Sequence, residues 1–143
     1  MEQCKVKILW IDDDLFRLKL QPYIDEFEDN GFDIIKVANP DDIDEMIDQH
    51  SDIQCIIVDI SMPTGESINV NEAKKGMRTG LLVLQKLNKN VKIDHIKKVV
   101  FTVVEDEQVR RYCDSCNVSY LKKQDNVTDV FIDKIKRLIE NGS

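Results

Sequence analysis

Short apolar runs divide an otherwise polar chain, and three of them do not alternate with polar residues. These runs are ILWI at 8–11, CIIV at 55–58 and VVFTVV at 99–104. A strand that is covered by helices on both faces of a sheet has this continuous apolar pattern. Two weaker candidates, FDIIKVA at 32–38 and VSYL at 118–121, bring the number of predicted strands to five.

Amphipathic segments separate the predicted strands. Apolar residues recur at helical spacing in four of them, at 40–50, 80–88, 104–117 and 128–140. A fifth segment, 15–31, lies between the first two predicted strands and contains Pro22. This proline either kinks a long helix or belongs to the first turn of a shorter helix that begins near Gln21. Five strand–helix units in this order predict a parallel sheet with helices on both faces, joined by right-handed crossovers.

Polar side chains stand where the predicted strands end. They are Asp12 and Asp13 after the first strand, Asp59 after the third, Thr102 in the fourth and Lys123 after the fifth. In open α/β sheets, ligands bind beyond the carboxyl ends of the strands. Folding is therefore expected to gather these five side chains at one edge of the sheet.

Such a cluster of charges favours a particular chemistry. Two carboxylates about 4 Å apart repel by roughly 4 kcal/mol at an effective dielectric of 20, so three of them need cations or raised pKa values. One lysine and one divalent cation would neutralise all three, and Mg²⁺ suits a site with few protein oxygens because it keeps several waters and accepts phosphate oxygens. A free carboxylate beside Mg²⁺, a lysine and a hydroxyl is suited to phosphoryl transfer, with the carboxylate as nucleophile.

Four segments resemble the receiver domains of two-component response regulators, of the chemotaxis-receiver type. They are KILWIDD, IIVDISMP, VVFT and SYLKK, in the receiver order and at the matching strand ends. The resemblance runs from about Lys5 to Leu138. It implies a single receiver domain over residues 1–143 with a core at about 5–140. The implied fold is flavodoxin-like, a doubly wound (βα)5 with strand order 2-1-3-4-5.

The resemblance also implies which residues accept and hold a phosphoryl group. Asp59 would be the phosphoacceptor, in a phosphorelay protein that is not an enzyme acting on an external substrate. Asp13 and Asp59 would bind Mg²⁺ directly, the backbone carbonyl of Ser61 would be a further ligand, and Asp12 would act mainly through a water. Asp14, next to the acidic pair, is either a helix N-cap or first-turn acid or a ligand.

Three further residues have implied roles in signalling. Lys123 would pair with the acceptor and then with a phosphoryl oxygen; Lys122 competes for this role, but the register favours Lys123. Thr102 would donate its hydroxyl to another phosphoryl oxygen. Tyr120 occupies the aromatic switch position, which would couple the site to the surface of the fourth helix, fifth strand and fifth helix. That surface would bind a downstream protein or an effector domain, or form a homodimer.

Composition and charge limit the partners. A chain of 143 residues with 42% hydrophobic and 33% charged residues fits one globular domain. Its net charge of −7 argues against direct binding to nucleic acid or to an anionic membrane. With no apolar run near the roughly 20 residues of a membrane helix and no signal peptide, we expect a cytoplasmic protein. Its phosphodonor would be a histidine kinase, a phosphotransfer protein or a small phosphodonor, and its output would run through protein contacts.

Three features depart from the receiver pattern. Gln124 stands where receivers have proline, often after a cis peptide bond, and Val103 replaces a small residue and would narrow access to the site. Residues 64–79 form an insertion between the third strand and the third helix. This insertion is either a lid or partner-docking loop at the active-site edge, or a disordered insert.

Two other functions compete with phosphoacceptance. One is a receiver-like interaction module that works without phosphorylation, which the complete set of site residues disfavours. The other is a Mg²⁺-dependent phosphohydrolase with Asp59 as nucleophile. Hydrolases of that kind carry a second acid two residues later, and this chain has Ser61 there.

Overall fold

Strands and helices alternate along the chain as the sequence predicts. The computed structural model describes residues 6–50, 52–62, 65, 66, 68, 71–73 and 78–140. The strands are β1 (Val6–Ile11), β2 (Phe32–Val37), β3 (Ile53–Val58), β4 (Lys97–Thr102) and β5 (Ser119–Lys122). The helices are α1 (Gln21–Asp29), α2 (Ile43–Gln49), α3 (Thr79–Lys89), α4 (Glu107–Ser115) and α5 (Thr128–Glu140). None of these helices has the length and apolar character that a membrane span requires.

The five strands form one parallel sheet in the order β2-β1-β3-β4-β5, which confirms the predicted doubly wound, flavodoxin-like fold. Successive residues of β1 point to opposite faces of the sheet. Ile8 and Trp10 pack in the layer of α1 and α5, whereas Leu9 and Ile11 pack in the layer of α2 and α3. Because both faces are covered, β1 is apolar at every one of these positions.

An aromatic cluster fills the layer of α1 and α5 below the carboxyl edge of the sheet. Phe101 of β4 stacks on Phe131 of α5 with ring centroids 3.8 Å apart, and Trp10 lies 6.1 Å from each of them. The Lys123 ammonium lies 5.9 Å above the Phe101 ring. The Lys123 ammonium therefore lies above a packed cluster of aromatic rings.

The first helix is the shorter of the two alternatives. It begins at Gln21 after a 3₁₀ turn at Leu18–Leu20, and Pro22 lies in its first turn. The missing N–H of proline breaks no helical hydrogen bond at that position. Asp14 lies in the turn that follows β1, so the interpretation of Asp14 as a helix cap or first-turn acid is wrong.

The boundary between β4 and α4 also differs from the prediction. The apolar run 99–104 extends past the strand, which ends at Thr102, and Val103 is 60% exposed. Helix α4 begins at Glu107 because the Asp106 carboxylate caps it, accepting the N–H groups of Gln108 and Val109. Residues 103–106, which we call the β4–α4 loop, are therefore neither strand nor helix.

Parts of the predicted insertion 64–79 pack against the α2 and α3 layer. The backbone N–H of Glu66 donates to both carboxylate oxygens of Asp41, at 2.8 and 3.1 Å. Ile68 and Ala73 are buried in the same core cluster as α2 and α3. Residues 64, 67, 69, 70 and 74–77 lie outside the described residues. The insertion is thus held to this layer at Glu66, Ile68 and Ala73.

A buried lysine lies at the opposite edge of the sheet, where β4 begins. Lys98 is 6% exposed, and its ammonium donates to the carbonyls of Ile93 at 2.9 Å, Ile96 at 3.0 Å and Asp94 at 3.4 Å. Burial lowers the pKa of Lys98. The loop before β4 thus supplies the partners for this charge.

Candidate functional site

Two buried carboxylates lie side by side at the carboxyl edge of the sheet. Asp12 directly follows β1, and its N–H donates to the Val37 carbonyl at 3.0 Å; Asp59 directly follows β3, and its N–H donates to the Ile11 carbonyl at 2.9 Å. The backbone hydrogen bonding thus continues one residue past each strand and fixes both acids. Asp12 is 0% and Asp59 4% exposed.

Lys123 reaches these acids from the end of β5. Its ammonium lies 2.7 Å from Asp12 Oδ2 and 3.4 Å from Asp59 Oδ2. Lys122 instead pairs with Glu105 at 3.1 Å. Of the two adjacent lysines, Lys123 is therefore the one that the structure brings to the acidic pair.

The negative charge at this edge is only partly compensated. Burial, followed by the charge of Asp59, raises the pKa of Asp12 to about 6, although Lys123 opposes this. Burial alone would lower the pKa of Lys123, but the charges of Asp12 and Asp59 raise it overall. Among the described residues, the buried Oδ1 atom of Asp59 has no hydrogen-bond partner. One carboxylate oxygen is thus left for a ligand.

Asp13 and Asp14 complete an acidic group with Asp12, in which one carboxylate oxygen from each lies within 4.8 Å of the others. Asp14 pairs with Lys19 at 2.8 Å and Arg17 at 3.4 Å. Burial would raise the pKa of Asp14, but these cations and Lys123 lower it overall. By contrast, burial and then its acidic neighbours raise the pKa of Asp13. Asp13 is therefore the better candidate for a further cation.

The acids open onto a pocket of about 460 Å³. Its walls include Asp13, Asp59, Ser61 and Lys123, together with Val103. No described residue of the segment 64–79 lines it. The pocket is large enough for a phosphoryl group with its hydration.

Two further pocket residues were missed in the sequence. Lys19 lines the pocket from the 3₁₀ turn before α1, in the segment 15–31 where the sequence leaves the start of the helix open. Tyr23 of α1 also lines it and donates its hydroxyl to the Asn126 carbonyl at 2.9 Å. A helix that begins at Gln21 leaves Lys19 before the helix, but the sequence gives no signal that either side chain lies at the pocket.

Thr102 and Tyr120 are connected through one residue of the β4–α4 loop. The N–H of Val104 donates to Thr102 Oγ1 at 3.3 Å, and the Tyr120 hydroxyl donates to the Val104 carbonyl. Thr102 is completely buried, and the Arg110 guanidinium lies 4.4 Å above the Tyr120 ring. Movement of this loop would therefore affect both side chains.

Val103 and Gln124, two of the features that depart from the receiver pattern, contact each other. The Gln124 side-chain amide donates to the Val103 carbonyl at 3.3 Å. The peptide bonds of the described residues, including that between Lys123 and Gln124, are trans. Gln124 thus connects the residue after Lys123 to the β4–α4 loop.

The donor set fits a hard divalent cation. The side-chain donors at this edge are carboxylate oxygens, from Asp12, Asp13 and Asp14 in the acidic group and from Asp59 at the pocket wall. The unpartnered oxygen of Asp59 and the raised pKa of Asp12 both indicate that positive charge is missing here. Mg²⁺ meets these requirements.

Comparisons with solved structures identify the fold. The chain is similar to a CheY-like response regulator receiver domain protein from Methanospirillum hungatei, with a TM-score of 0.76, 18% identity and 97% of each chain covered. It is also similar to a response regulator from Thermotoga maritima, with a TM-score of 0.70, 15% identity and 96% and 99% of the chains covered. A third similar structure is the signal receiver domain of a histidine kinase from Syntrophus aciditrophicus, with a TM-score of 0.70, 18% identity and 95% and 91% covered.

No family model matches the chain, and a search of curated proteins finds no significant match. At these low identities the structural likeness establishes the fold, so the chain has the receiver-domain fold of response regulators.

Proposed function

We propose that this chain is a phosphoacceptor receiver module of a two-component phosphorelay, with Asp59 as the acceptor. The observation that carries the proposal is the unpartnered, buried Oδ1 atom of Asp59 beside Lys123, in a pocket that also contains acids able to bind Mg²⁺. The receiver-domain fold supports it, because this fold serves as a signalling module in the proteins it resembles.

The reaction transfers one phosphoryl group without an external catalyst. An Asp59 oxygen attacks the phosphorus of a phosphohistidine or a small acyl phosphate, and the bond from phosphorus to the donor nitrogen or oxygen breaks. The leaving group keeps the electron pair, and an imidazole takes up a proton from water. Lys123, released in part from Asp59, neutralises a phosphoryl oxygen, and Thr102 donates its hydroxyl to another.

Asp13, Asp59 and the Ser61 carbonyl would hold Mg²⁺, with Asp12 contributing through a water. When bound, the ion neutralises the charge that develops on the transferred group. Asp12 also holds the turn that carries its neighbours, since Oδ1 accepts the N–H of Asp14 at 2.9 Å. The acids thus shape the ion site as well as supplying its charge.

Signalling would follow from new contacts to the phosphoryl group. Thr102 and Tyr120 share Val104, so recruitment of the Thr102 hydroxyl would shift the β4–α4 loop and the Tyr120 side chain together. The α4, β5 and α5 surface would then bind a downstream protein or effector domain, or a second copy of the chain. The phosphodonor would be a histidine kinase, a phosphotransfer protein or a small phosphodonor.

Intact mass spectrometry tests the acceptor. After incubation with acetyl phosphate and Mg²⁺, we expect one addition of about 80 Da, the mass of a phosphoryl group. Asp59→Asn keeps the shape of the side chain but removes the nucleophile, so its mass should not change. Asp33→Asn, at an exposed position on β2, is the matched control and should gain the same mass as the parent.

The other two functions give different results. A module that works without phosphorylation would bind neither acetyl phosphate nor beryllofluoride with Mg²⁺. A phosphohydrolase would release many phosphates per chain in an Asp59-dependent manner, and Ser61 at the position of the general acid argues against this. An Asp59→Asn chain that gains the full mass would refute Asp59 as the acceptor.

A further inference from the structure

The β4–α4 loop is held from several sides. Within β5, Tyr120 bonds the Val104 carbonyl and Lys122 pairs with Glu105 at 3.1 Å. Arg110 of α4 also pairs with Glu105, at 3.0 Å. These partners belong to the same region as the loop.

One further partner of the β4–α4 loop comes from the connection between β3 and α3. Arg78 stands directly before α3, at the end of the segment 64–79, and forms a two-pronged ion pair with Asp106. Its Nε lies 2.6 Å from Oδ2 and its Nη2 lies 3.1 Å from Oδ1. Arg78 Nη1 also donates to the Gln108 side chain. This ion pair joins the connection between β3 and α3 to the β4–α4 loop.

The Arg78–Asp106 pair is well shielded from water. The two side chains are only 18% and 13% exposed, so salt screens their interaction less than that of a surface pair. The two-pronged geometry fixes orientation as well as distance. Asp106 also caps α4 through the N–H groups of Gln108 and Val109. Arg78 therefore fixes the residue at which the loop becomes helix.

Val104, which lies two residues before Asp106 in the loop, contacts Thr102. The N–H of Val104 donates to Thr102 Oγ1, which leaves the hydroxyl hydrogen to be donated elsewhere. Thr102 is completely buried at the end of β4, next to the strand that leads to Asp59. The position of the loop therefore affects where the Thr102 hydroxyl can donate its hydrogen.

We propose that Arg78 is a positioning residue for phosphoryl binding: its ion pair with Asp106 holds the β4–α4 loop so that Val104 presents the Thr102 hydroxyl to the group on Asp59. The inference rests on the proposed function and adds a regulatory contact to it. A change in the position of Arg78 would therefore alter how readily the site accepts a phosphoryl group.

The test is the affinity of the full chain for beryllofluoride at saturating Mg²⁺, compared between the parent and Arg78→Met. If loss of the ion pair leaves about a tenth of the molecules with the loop in place, the apparent Kd rises about tenfold. The affinity for Mg²⁺ alone should change less than about twofold, because the acids do not depend on this loop. Arg111→Met is the matched control: it removes the same charge from an exposed pair with Glu107 and should leave beryllofluoride affinity unchanged.

A double-mutant cycle with Thr102→Ala separates positioning from general loosening. Without the hydroxyl, Arg78→Met should cause no further loss of beryllofluoride affinity. An equal loss in both backgrounds would show that Arg78 does not act through Thr102 and would overturn the inference. An unchanged affinity of Arg78→Met in the parent background would overturn it as well.

A second variant covers the case in which Arg78→Met does not fold. Asp106→Asn keeps an oxygen for capping α4 but loses the charge that faces Arg78, so it should weaken beryllofluoride binding in the same direction. An unchanged affinity for Asp106→Asn would count against the inference. If the parent chain itself does not bind beryllofluoride with Mg²⁺, the proposed function fails, and this inference fails with it.

Discussion

Buried charges have their partners at the edge of the sheet where the strands begin, but lack some of them at the edge where the strands end. At the amino end, Lys98 is 6% exposed and three backbone carbonyls surround its ammonium. At the carboxyl end, the neighbouring acids Asp12 and Asp59 share one lysine, and Asp59 Oδ1 has no partner among the described residues. Burial acts against the charged form at both ends, since it lowers the pKa of Lys98 and raises that of Asp12.

This difference distinguishes a structural charge from a functional one. A buried charge that the chain satisfies by itself contributes to a single folded structure. A buried charge that the chain leaves short of partners reduces stability until a ligand completes it. The two ends should therefore respond with opposite signs when their charges are removed.

The largest expected effect is at Lys98. Replacing Lys98 by Met should destabilise the chain by about 3 kcal/mol, because three backbone carbonyls, including that of the buried residue Ile93, lose their donor. Urea unfolding measures this, with Lys92→Met, at an exposed position in the same loop, as the control. Mg²⁺ affinity should not change. If Lys98→Met is as stable as the parent, Lys98 does not stabilise the fold, and the proposed difference between the two edges of the sheet is wrong.

The next effect has the opposite sign. Asp12→Asn should stabilise the metal-free chain by about 2 kcal/mol at pH 7, since it removes a carboxylate whose pKa is raised to about 6. The unfolding free energy without Mg²⁺ measures the gain, and Asp33→Asn on the exposed face of β2 is the control.

Added Mg²⁺ should narrow the difference in stability between the two proteins. At a concentration of 100 times its Kd, a ligand stabilises the folded state by about 2.7 kcal/mol. The parent should gain this amount and the Asp12→Asn chain less. Destabilisation by Asp12→Asn in the absence of metal would show that the acids are satisfied as they stand, and the comparison would fail.

The smallest effect is in the pH dependence. The pKa of Asp12 is raised from its ordinary value of 3.8 to about 6, so its charge destabilises the fold above pH 6 and has no effect below about pH 4. The difference in stability between Asp12→Asn and the parent should therefore shrink by about 1 kcal/mol from pH 7 to pH 5. Unfolding curves at both pH values without Mg²⁺ measure it. A difference that is constant or grows as the pH falls would contradict the assigned cause.

Much of the fold could be predicted because its signals are local. Continuous apolar runs identify β1 and β3, since both of their faces are covered. The end of β4 at Thr102 is not visible in the apolar run, because Val103 and Val104 continue that run although Val103 is 60% exposed. The cap that starts α4 is a side-chain contact of Asp106, which an apolar pattern does not report.

The site was predictable where it depends on strand ends and unpredictable where it depends on distant pairs. Asp12, Asp59 and Lys123 each follow a strand directly, so strand order alone brings them to one edge. Nothing in the sequence links Arg78 with Asp106, because their contact depends on how two connections pack. Lys98 was missed for the same reason, since its partners are the carbonyls of a loop.

The position of Trp10 gives the molecule a built-in optical probe. It is the only tryptophan in the chain, two residues before Asp12, and its ring is completely buried against the aromatic residues beneath Lys123. Indole emission responds to nearby charge and to small shifts of packed rings. Occupancy of the acidic edge can therefore be followed by intrinsic fluorescence, without an attached dye or an added reporter residue.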